Sequence, residues 1–312
     1  MGDQPTMNDQ VYVVTGAGGN IGKYLSEILL RNGHKVRVIG RSISRLQPLI
    51  DQGAQATFGS LDDPEFLTEA FEGAKSVFAM IPSNLEAENY RKYQGQISDA
   101  LIEGIKLSEV RNVVALSSLG AHLPEGTGPI KGLFDFEQKL EKLEDVNVLI
   151  LRPAFFMENL FQGIPVMQKT GMNGSAIRPD VSTPMIATRD IAEFAAKSMV
   201  ELSFKGVTAQ VLLGPSNVSM AEATHSIGKV IGNQELKYVQ IPYEKLKLVL
   251  SGKGATENVV SEFIEMTEWY NKGSMANLVR TETSTTKTTI DDFAFLNSEL
   301  FKGNGARAAG NI

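Results

Sequence analysis

Residues 11–25 read VYVVTGAGGNIGKYL, and this stretch decides the fold. A short valine-rich run leads into a glycine loop, and apolar residues at helical spacing follow. Gly16 permits a tight turn off the strand, Gly19 lets backbone approach a pyrophosphate, and Gly22 lets the helix lie close to the strand. The stretch predicts a dinucleotide site whose phosphates lie against Thr15, Gly16, Gly19, Asn20, Ile21 and Gly22.

The helix that begins near Asn20 strengthens this interpretation, because its free N–H groups and positive dipole end favour phosphate. A strand before the loop, an amphipathic helix after it and a second strand at residues 35–39 are the context that such a site requires. The competing interpretation is a glycine-rich turn between a strand and a helix that binds no ligand.

The composition of the 312-residue chain is that of an ordinary globular protein, with 42% hydrophobic and 21% charged residues. The net charge of −6 and the lack of a basic run argue against nucleic acid or an anionic membrane as a partner. Cysteine is absent, which excludes disulfides, thiol catalysis and cysteine-ligated metal. We therefore predict a cytoplasmic protein, a monomer or a homodimer, that has no metal site and acts on a small molecule.

Strands alternate with helices along the first half of the chain, and this rhythm predicts an α/β fold with a doubly wound parallel sheet of the Rossmann type. We assign residues 11–156 to the dinucleotide-binding domain and residues 157–302 to a smaller, mostly helical domain for substrate or partner. Residues 1–10 are predicted to be a flexible leader and residues 303–312 a flexible tail. A strand near 207–213 is a candidate to return to the main sheet.

Ligands of such sheets bind outside the carboxyl ends of the strands. Asp62 lies at one such end, where it either contacts an adenine edge or caps the helix that starts at Pro64. The predicted strand ends add these cofactor-binding candidates: Ser60, Leu61, Asp62, Ile81, Pro82, Ser117, Pro153 and Phe155.

The end of the second strand predicts which dinucleotide is preferred. An acid there binds the ribose hydroxyls of NAD(H), whereas an arginine pairs with the 2′-phosphate of NADP(H). The segment that follows the strand has no acid and instead supplies Arg41, with Arg45 second. NADP(H) is therefore the preferred cofactor and NAD(H) the alternative, while a solvated surface arginine is the competing interpretation of Arg41.

Four motifs resemble the NmrA-like branch of the atypical short-chain dehydrogenases. They are the glycine loop above, LSSLGA at residues 116–121, LRPAFFMEN at 151–159 and ATRDIA at 187–192, and the third is fairly specific for this branch. The resemblance implies a Rossmann domain with a smaller C-terminal domain. It also implies a function among NAD(P)H-dependent quinone and azo reductases, isoflavone-type reductases, and redox-sensing regulators that bind the dinucleotide without turning it over.

The Tyr-x-x-x-Lys pair of typical short-chain dehydrogenases is missing. Counting back from the sixth strand places Phe134 and Gln138 in those positions. The remaining catalytic candidates are Ser118, which matches a carbonyl-orienting serine of extended relatives, His122 just past the fifth strand, and Lys131. Two of them have a simpler interpretation, namely a strand-end cap for Ser118 and a loop residue for Lys131, while His122 is the candidate proton donor.

Alcohol oxidation needs a general base, and none is evident, whereas hydride delivery to an electron-poor acceptor can take its proton from solvent. The sequence therefore favours an NADPH-dependent reductase of a quinone-like or azo/aromatic acceptor. Phe155, Phe156, Met157 and Phe161 either offer such an acceptor an apolar surface or pack in the core. The alternative function is an NADP(H)-binding redox sensor of the NmrA type with little or no turnover.

Overall fold

The computed structural model describes residues 10–303, so the predicted leader and tail lie outside the described residues except for Gln10 and Gly303. The strands are β1 (Val11–Val14), β2 (Lys35–Gly40), β3 (Gln55–Phe58), β4 (Ala74–Ala79), β5 (Asn112–Leu116), β6 (Asn147–Pro153), β7 (Phe155–Phe156), β8 (Met172–Ser175), β9 (Thr183–Ile186), β10 (Val207–Leu212), β11 (Asn217–Val218) and β12 (Lys237–Gln240). The helices are α1 (Asn20–Arg31), α2 (Ile43–Ile50), α3 (Pro64–Phe71), α4 (Tyr90–Leu107), α5 (Lys131–Leu140), α6 (Ile164–Thr170), α7 (Thr188–Glu201), α8 (Met220–Ile231), α9 (Tyr243–Gly252), α10 (Glu257–Asn271), α11 (Ile290–Leu296) and α12 (Ser298–Lys302).

The main sheet has the strand order β10-β6-β5-β4-β1-β2-β3, and every neighbouring pair runs parallel. The chain winds outwards in both directions from β1, so the order reverses between β1 and β4. The predicted doubly wound fold is therefore confirmed. In such sheets the crevice outside the carboxyl ends of the strands is where ligands bind.

Alternate residues of the strands point to opposite faces of the main sheet, and each face packs in a separate hydrophobic core. Val14 and its neighbours on one face pack against α1, α2 and α7, whereas Val13 and its neighbours on the other face pack against α3, α4 and α5. Both faces are covered, which explains why the strands read as continuous apolar runs and not as alternating ones. Burial on both faces fixes the strand ends, and with them the floor of the crevice.

Residues after β6 build a second core and two small sheets. One sheet has the order β11-β9-β7, and the other pairs β12 with β8 in parallel. The ring of Phe161 stacks on Phe293 and also contacts Phe301, with 5.3 Å between ring centroids in both pairs, and Met157 is buried in the same core. Phe161 and Met157 therefore pack in the core, as one of the two sequence interpretations expected.

Two of the family motifs join this second core to the main sheet. Glu158 of LRPAFFMEN accepts hydrogen bonds from the backbone N–H and the hydroxyl of Thr188 in ATRDIA, at 3.0 and 2.6 Å. Asp190 of the same motif accepts from the N–H and the hydroxyl of Thr288, at 2.9 and 2.7 Å. Since α7 packs on the main sheet, these carboxylates act as structural ties.

Glu158→Gln is expected to change how stability depends on pH. Burial, together with the nearby Asp190 carboxylate, raises the pKa of Glu158 despite the opposing hydrogen bonds from Thr188. The folded state then holds the proton more tightly than the unfolded chain, whose glutamate pKa is about 4.3. The stabilisation by Glu158 is thus full below that pH and is lost as the pH rises through the raised value.

Urea unfolding of both proteins at several pH values between about 4 and 8 tests this linkage. The wild type should lose stability relative to Glu158→Gln as the pH rises, because the neutral amide keeps an acceptor for Thr188 without the buried charge. A difference that stays constant across the range would contradict the raised pKa.

Candidate dinucleotide-binding site

The glycine loop between β1 and α1 leaves space that only glycine can provide. Gly16 has a φ of +62°, a left-handed conformation that glycine adopts freely. A Cβ on Gly22 would lie 2.8 Å from the Cα of Ala17 and would also collide with the carbonyl oxygen of Gly16. The helix start is thereby held directly against the loop, as the spacing of the glycines predicts.

The N-terminus of α1 has no side-chain cap and no acidic residue in its first turn. Gly19 occupies the cap position in an extended conformation, and its N–H donates to the carbonyl of Gly16 at 2.9 Å. Asn20 is exposed, whereas Ile21 is buried and anchors the helix. The first N–H groups of the helix and its positive dipole end therefore face the crevice with no cap or acidic residue of their own turn to neutralise them.

Thr15 holds the floor of the crevice together. Its hydroxyl donates to the carbonyl of Phe78 and accepts from the N–H of Met80, both at 3.0 Å. The side chain is fully buried. Thr15 therefore positions the ends of β1 and β4, with its hydroxyl already used by backbone groups.

Arg41 and Arg45 lie beside the glycine loop with free guanidinium groups. Arg41 follows β2 and is exposed, and the stem of Arg45 on α2 packs over Gly18, where a glycine Cβ would lie 3.1 Å from the arginine Cβ. Within residues 10–303 neither guanidinium has a carboxylate partner. Two unpaired cations therefore lie near the uncapped helix start.

The cap of α3 is Asp63 and not Asp62. The Asp63 carboxylate accepts from the N–H of Phe66 at 3.0 Å, while Asp62 remains exposed at the end of β3. One of the two interpretations of Asp62, the helix cap, is therefore wrong, because its neighbour takes that role. Ser60 lies in the same loop, and its carbonyl accepts from the N–H of Asp63 at 3.4 Å.

Tyr93 is a residue of this region that the sequence did not reveal. It lies on α4, half-buried, and packs on the same core as Leu61 and Ile81. Burial raises the pKa of Tyr93 to about 12, Tyr90 and Asp62 add to the rise, and Arg41 opposes it, so the phenol lies within electrostatic range of Arg41 and Asp62. The signal available beforehand was weak, since an aromatic residue at helical spacing from Tyr90 indicates a core position equally well.

At the other end of the crevice, a buried carboxylate occupies the region where the Tyr-x-x-x-Lys pair is missing. Glu137, between Phe134 and Gln138 on α5, has a side chain only 2% exposed. Arg152 at the end of β6 binds it through two nitrogens, with Nε 3.0 Å from Oε1 and Nη2 2.5 Å from Oε2. Ser117 donates its hydroxyl to the same carboxylate.

The triad of Ser117, Glu137 and Arg152 links β5, α5 and β6. Because the hydroxyl of Ser117 is engaged with Glu137, this serine positions the end of β5. The hydrogen bonds to Glu137 raise the pKa of Arg152, so the guanidinium stays charged. The sequence did carry a signal, because Glu137 is spaced with Leu133 and Leu140 on the apolar face of α5. A carboxylate at such a position indicates a buried partner.

The three catalytic candidates are not brought together in one cluster. Ser118 donates its hydroxyl to the carbonyl of Leu119 at 3.0 Å, and His122 is exposed beyond the end of β5. Lys131 begins α5 and is buried, so its interpretation as a loop residue is wrong; two carboxylates of α10 hold it, with Nζ 2.6 Å from Glu265 and 3.1 Å from Glu262. Burial opposes the charge of Lys131, but these carboxylates outweigh it and raise the pKa.

Pro153 and Phe155 form the apolar wall at the end of β6. The carbonyl of Pro153 accepts from the N–H of Leu119 at 2.9 Å, which joins the ends of β5 and β6. Phe155 is half-buried, and its ring meets that of Tyr270 edge-to-face with centroids 5.6 Å apart. Ile81 and Pro82, half-buried after β4, lie at a neighbouring strand end.

The part of the chain between Gln10 and Gly303 contains neither a metal site nor a membrane-spanning helix. No group of histidine, aspartate and glutamate side chains there is arranged to hold a metal ion. Nor does any helix of that part combine the length and the apolar character that crossing a membrane requires.

Comparison with known proteins gives consistent matches over most of the chain. The NAD(P)H azoreductase of Xenophilus azovorans is 24% identical over 254 residues, which cover 81% of this chain and 85% of that protein. The NADPH complex of the quinone oxidoreductase QOR2 from Escherichia coli has a TM-score of 0.75 at 19% identity, covering 91% of this chain and 98% of that one. The NADP(H) complex of the Citrobacter triphenylmethane reductase has a TM-score of 0.76 at 16% identity, covering 92% and 99%.

All three of these proteins are reductases by name, and two of them are solved with the dinucleotide bound. The likeness of the structures confirms the dinucleotide-binding fold. A sequence profile of the NmrA-like family matches residues 8–294, nearly the whole chain. The resemblance seen in the four motifs is thereby confirmed, and this chain belongs to the NmrA-like family.

Proposed function

We propose that the protein is an NADPH-dependent reductase of quinone-like or azo/aromatic acceptors. One observation carries the proposal: two unpaired guanidinium groups lie beside an uncapped helix start at one end of the crevice, and an apolar aromatic wall lies at the other. The first arrangement suits a dinucleotide with an extra phosphate. The second suits a flat, electron-poor ring. The azoreductase and quinone reductase named above support this choice of acceptor.

The residues present fit the dinucleotide. Gly22 lets the start of α1 lie against the loop, and the Cβ position of Gly19 meets only the Gly16 carbonyl oxygen within 4 Å, so phosphates can approach the backbone there. In the proposed complex the N–H groups at the start of α1 bind the diphosphate, and Arg41 and Arg45 bind the 2′-phosphate. Asp62 and Leu61 lie at the adenine, while Ser117, Pro153 and Phe155 shape the nicotinamide end.

The proposed reaction requires no side chain to transfer a proton. When bound, NADPH supplies the hydride, and the acceptor takes one further proton, so that a two-electron-reduced acceptor and NADP⁺ result. Water supplies that proton, because Lys131 is engaged with α10 and no tyrosine–lysine pair is present. The protein's share is to bind both partners, to orient them and to hold the acceptor against an apolar surface.

NADPH oxidation measured at 340 nm with a panel of quinones and azo dyes tests the proposal. Turnover well above the protein-free rate with at least one acceptor is the expected result. Tight NADPH binding with no turnover across the panel would contradict the reductase. It would favour the NADP(H)-binding redox sensor instead, a function that the engagement of Lys131 and the presence of Phe134 and Gln138 in the Tyr-x-x-x-Lys positions also fit.

Arg41→Ala is expected to weaken NADPH binding while leaving NADH binding nearly unchanged. A charge-assisted hydrogen bond to phosphate is worth about 1.5–3 kcal/mol, which corresponds to roughly a 10- to 100-fold rise in the dissociation constant. Calorimetric titration with both dinucleotides measures the two affinities. Arg111→Ala is the control, since Arg111 directly precedes β5 and so lies at the amino ends of the parallel strands, away from the crevice at their carboxyl ends. Equal losses for NADPH and NADH would contradict a role in cofactor choice.

A cytoplasmic location and a monomeric or homodimeric state belong to the same proposal. Size-exclusion chromatography with light scattering would distinguish the two states.

A further inference from the structure

Tyr270 lies at the aromatic end of the crevice, although its position in the sequence does not indicate this. It is on α10, far along the chain from the strands of the main sheet. Its ring meets the ring of Phe155 edge-to-face, with the centroids 5.6 Å apart and the planes at 90°. Because Phe155 comes directly after β6, Tyr270 lies beside the carboxyl end of that strand.

Contacts to the main sheet hold α10 in this place. Trp269 packs on Gly120 just after β5, where a Cβ would lie 2.8 Å from the indole ring. Gly128 lies directly against the α10 backbone, with its Cβ position 2.9 Å from the nitrogen of Met266. Lys131 adds its ion pairs with Glu262 and Glu265. The position of Tyr270 is therefore set by the fold before any ligand binds.

The hydroxyl of Tyr270 differs from those of other buried tyrosines. Tyr90 donates to the hydroxyl of Ser83 at 3.1 Å, and Tyr238 donates to the carbonyl of Ile177 at 2.7 Å. Tyr270 is only 8% exposed, yet its hydroxyl has no hydrogen-bond partner among residues 10–303. The hydroxyl is not one of the fully enclosed polar atoms that lack a partner in this part of the chain, so it keeps accessible surface and an unused hydrogen-bonding capacity beside the crevice.

We propose that the Tyr270 hydroxyl donates a hydrogen bond to the acceptor, at a quinone oxygen or an azo nitrogen, while the acceptor ring lies against Phe155. The inference rests on the proposed reductase function and adds the residue that orients its acceptor. Burial raises the pKa of Tyr270 well above its usual value, so the phenol stays protonated and remains a donor. The hydrogen bond strengthens as the acceptor atom gains negative charge, and water still supplies the proton.

Tyr270→Phe tests the proposal, because it keeps the ring and removes only the hydroxyl. Trp269 is the only tryptophan of the chain and contacts Tyr270 with centroids 5.3 Å apart, so its fluorescence reports binding beside that residue. The probe is 1,4-naphthoquinone, titrated without NADPH and corrected for absorption. Tyr238→Phe is the matched control, since its hydroxyl bonds within the small β8–β12 sheet region.

We expect three results for Tyr270→Phe. Saturable quenching should need about 10-fold more naphthoquinone, and the kcat for its reduction by NADPH should fall by about 10-fold or more, as the loss of one hydrogen bond predicts. The melting temperature should stay nearly the same, because the hydroxyl bonds no protein group that the substitution would leave unpaired. Tyr238→Phe should leave the quenching and kcat unchanged.

Two results would overturn the proposal: unchanged quenching and kcat in Tyr270→Phe, or wild-type protein that shows no saturable quenching. In the first case the hydroxyl is merely buried. A third result separates the two proposals. Wild-type protein that binds naphthoquinone, with weaker binding by Tyr270→Phe, but oxidises no NADPH supports the role of Tyr270 and defeats the reductase.

Discussion

Gly22→Ala is expected to raise the dissociation constant for NADPH by about 100-fold or more, since at least two charge-assisted hydrogen bonds of roughly 1.5–3 kcal/mol each are lost. The added Cβ would lie 2.8 Å from the Cα of Ala17 and would collide with the Gly16 carbonyl. Both are backbone groups that cannot rotate away, so α1 must shift. A displaced helix start no longer directs its N–H groups at the phosphates.

Gly95→Ala is the matched control, because Gly95 also lies in a helix, α4, but its Cβ position has no atom within 4 Å. Alanine there should stabilise the helix by about 0.5–1 kcal/mol without changing NADPH affinity. Calorimetry gives the affinities and thermal unfolding the stabilities. A Gly22→Ala protein that is folded and binds NADPH as well as the wild type would contradict the phosphate site.

Glu137→Gln is expected to be the most destabilising of these substitutions, at about 3 kcal/mol. Glutamine keeps the shape of the side chain but removes the charge, which leaves the Arg152 guanidinium unpaired with its side chain only 21% exposed. Breaking a buried ion pair at one partner costs more than the pair contributes, because the remaining charge lacks compensation. Urea unfolding measures the loss.

Asp135→Asn on the same helix is the comparison for Glu137. Asp135 pairs with Arg91 at 2.7 Å, but each side chain is about one third exposed, at 33% and 35%. Solvent screens such a pair, and its loss should cost less than about 1 kcal/mol. Equal, small losses for the two variants would show that the Glu137 triad contributes little to stability.

The long helices and the main sheet could be predicted because their signals are local. Tyr90–Leu107, Met220–Ile231 and Glu257–Asn271 carry apolar residues at helical spacing, and each begins after a capping side chain, Asn89, Ser219 or Thr256. The inner strands β1, β4, β5 and β6 of the main sheet are buried on both faces and so read as apolar runs. The regular alternation of strands with helices then indicated that the strands of the sheet run parallel.

The smaller elements were not predicted, because their stability comes from distant partners. Residues 43–50 form α2, although the sequence there was interpreted only as the segment that selects the dinucleotide. β8 lies within residues 171–183, a stretch rich in glycine and proline, and pairs with β12 more than sixty residues later. Four residues are too few for a period of two to be recognised.

The residues of the candidate site also differ in whether local spacing or distant contacts reveal them. The glycine positions and Arg41 follow from spacing along β1, α1 and β2, so the sequence was sufficient to propose them. The Glu137–Arg152 pair and Tyr270 depend on contacts between segments far apart in the chain. A single sequence can indicate that Glu137 lies on an apolar face, but not which side chain meets it there.

The place of β10 in the main sheet affects how the protein is made. Its residues, Val207–Leu212, follow the small sheet strands β8 and β9 in the chain, yet they pair with β6 at the sheet edge. A nascent chain that leaves the ribosome up to about residue 206 therefore presents β6 as an unpaired edge, the kind of surface that recruits other strands. Chaperones that hold such edges should engage this protein during that interval of its synthesis.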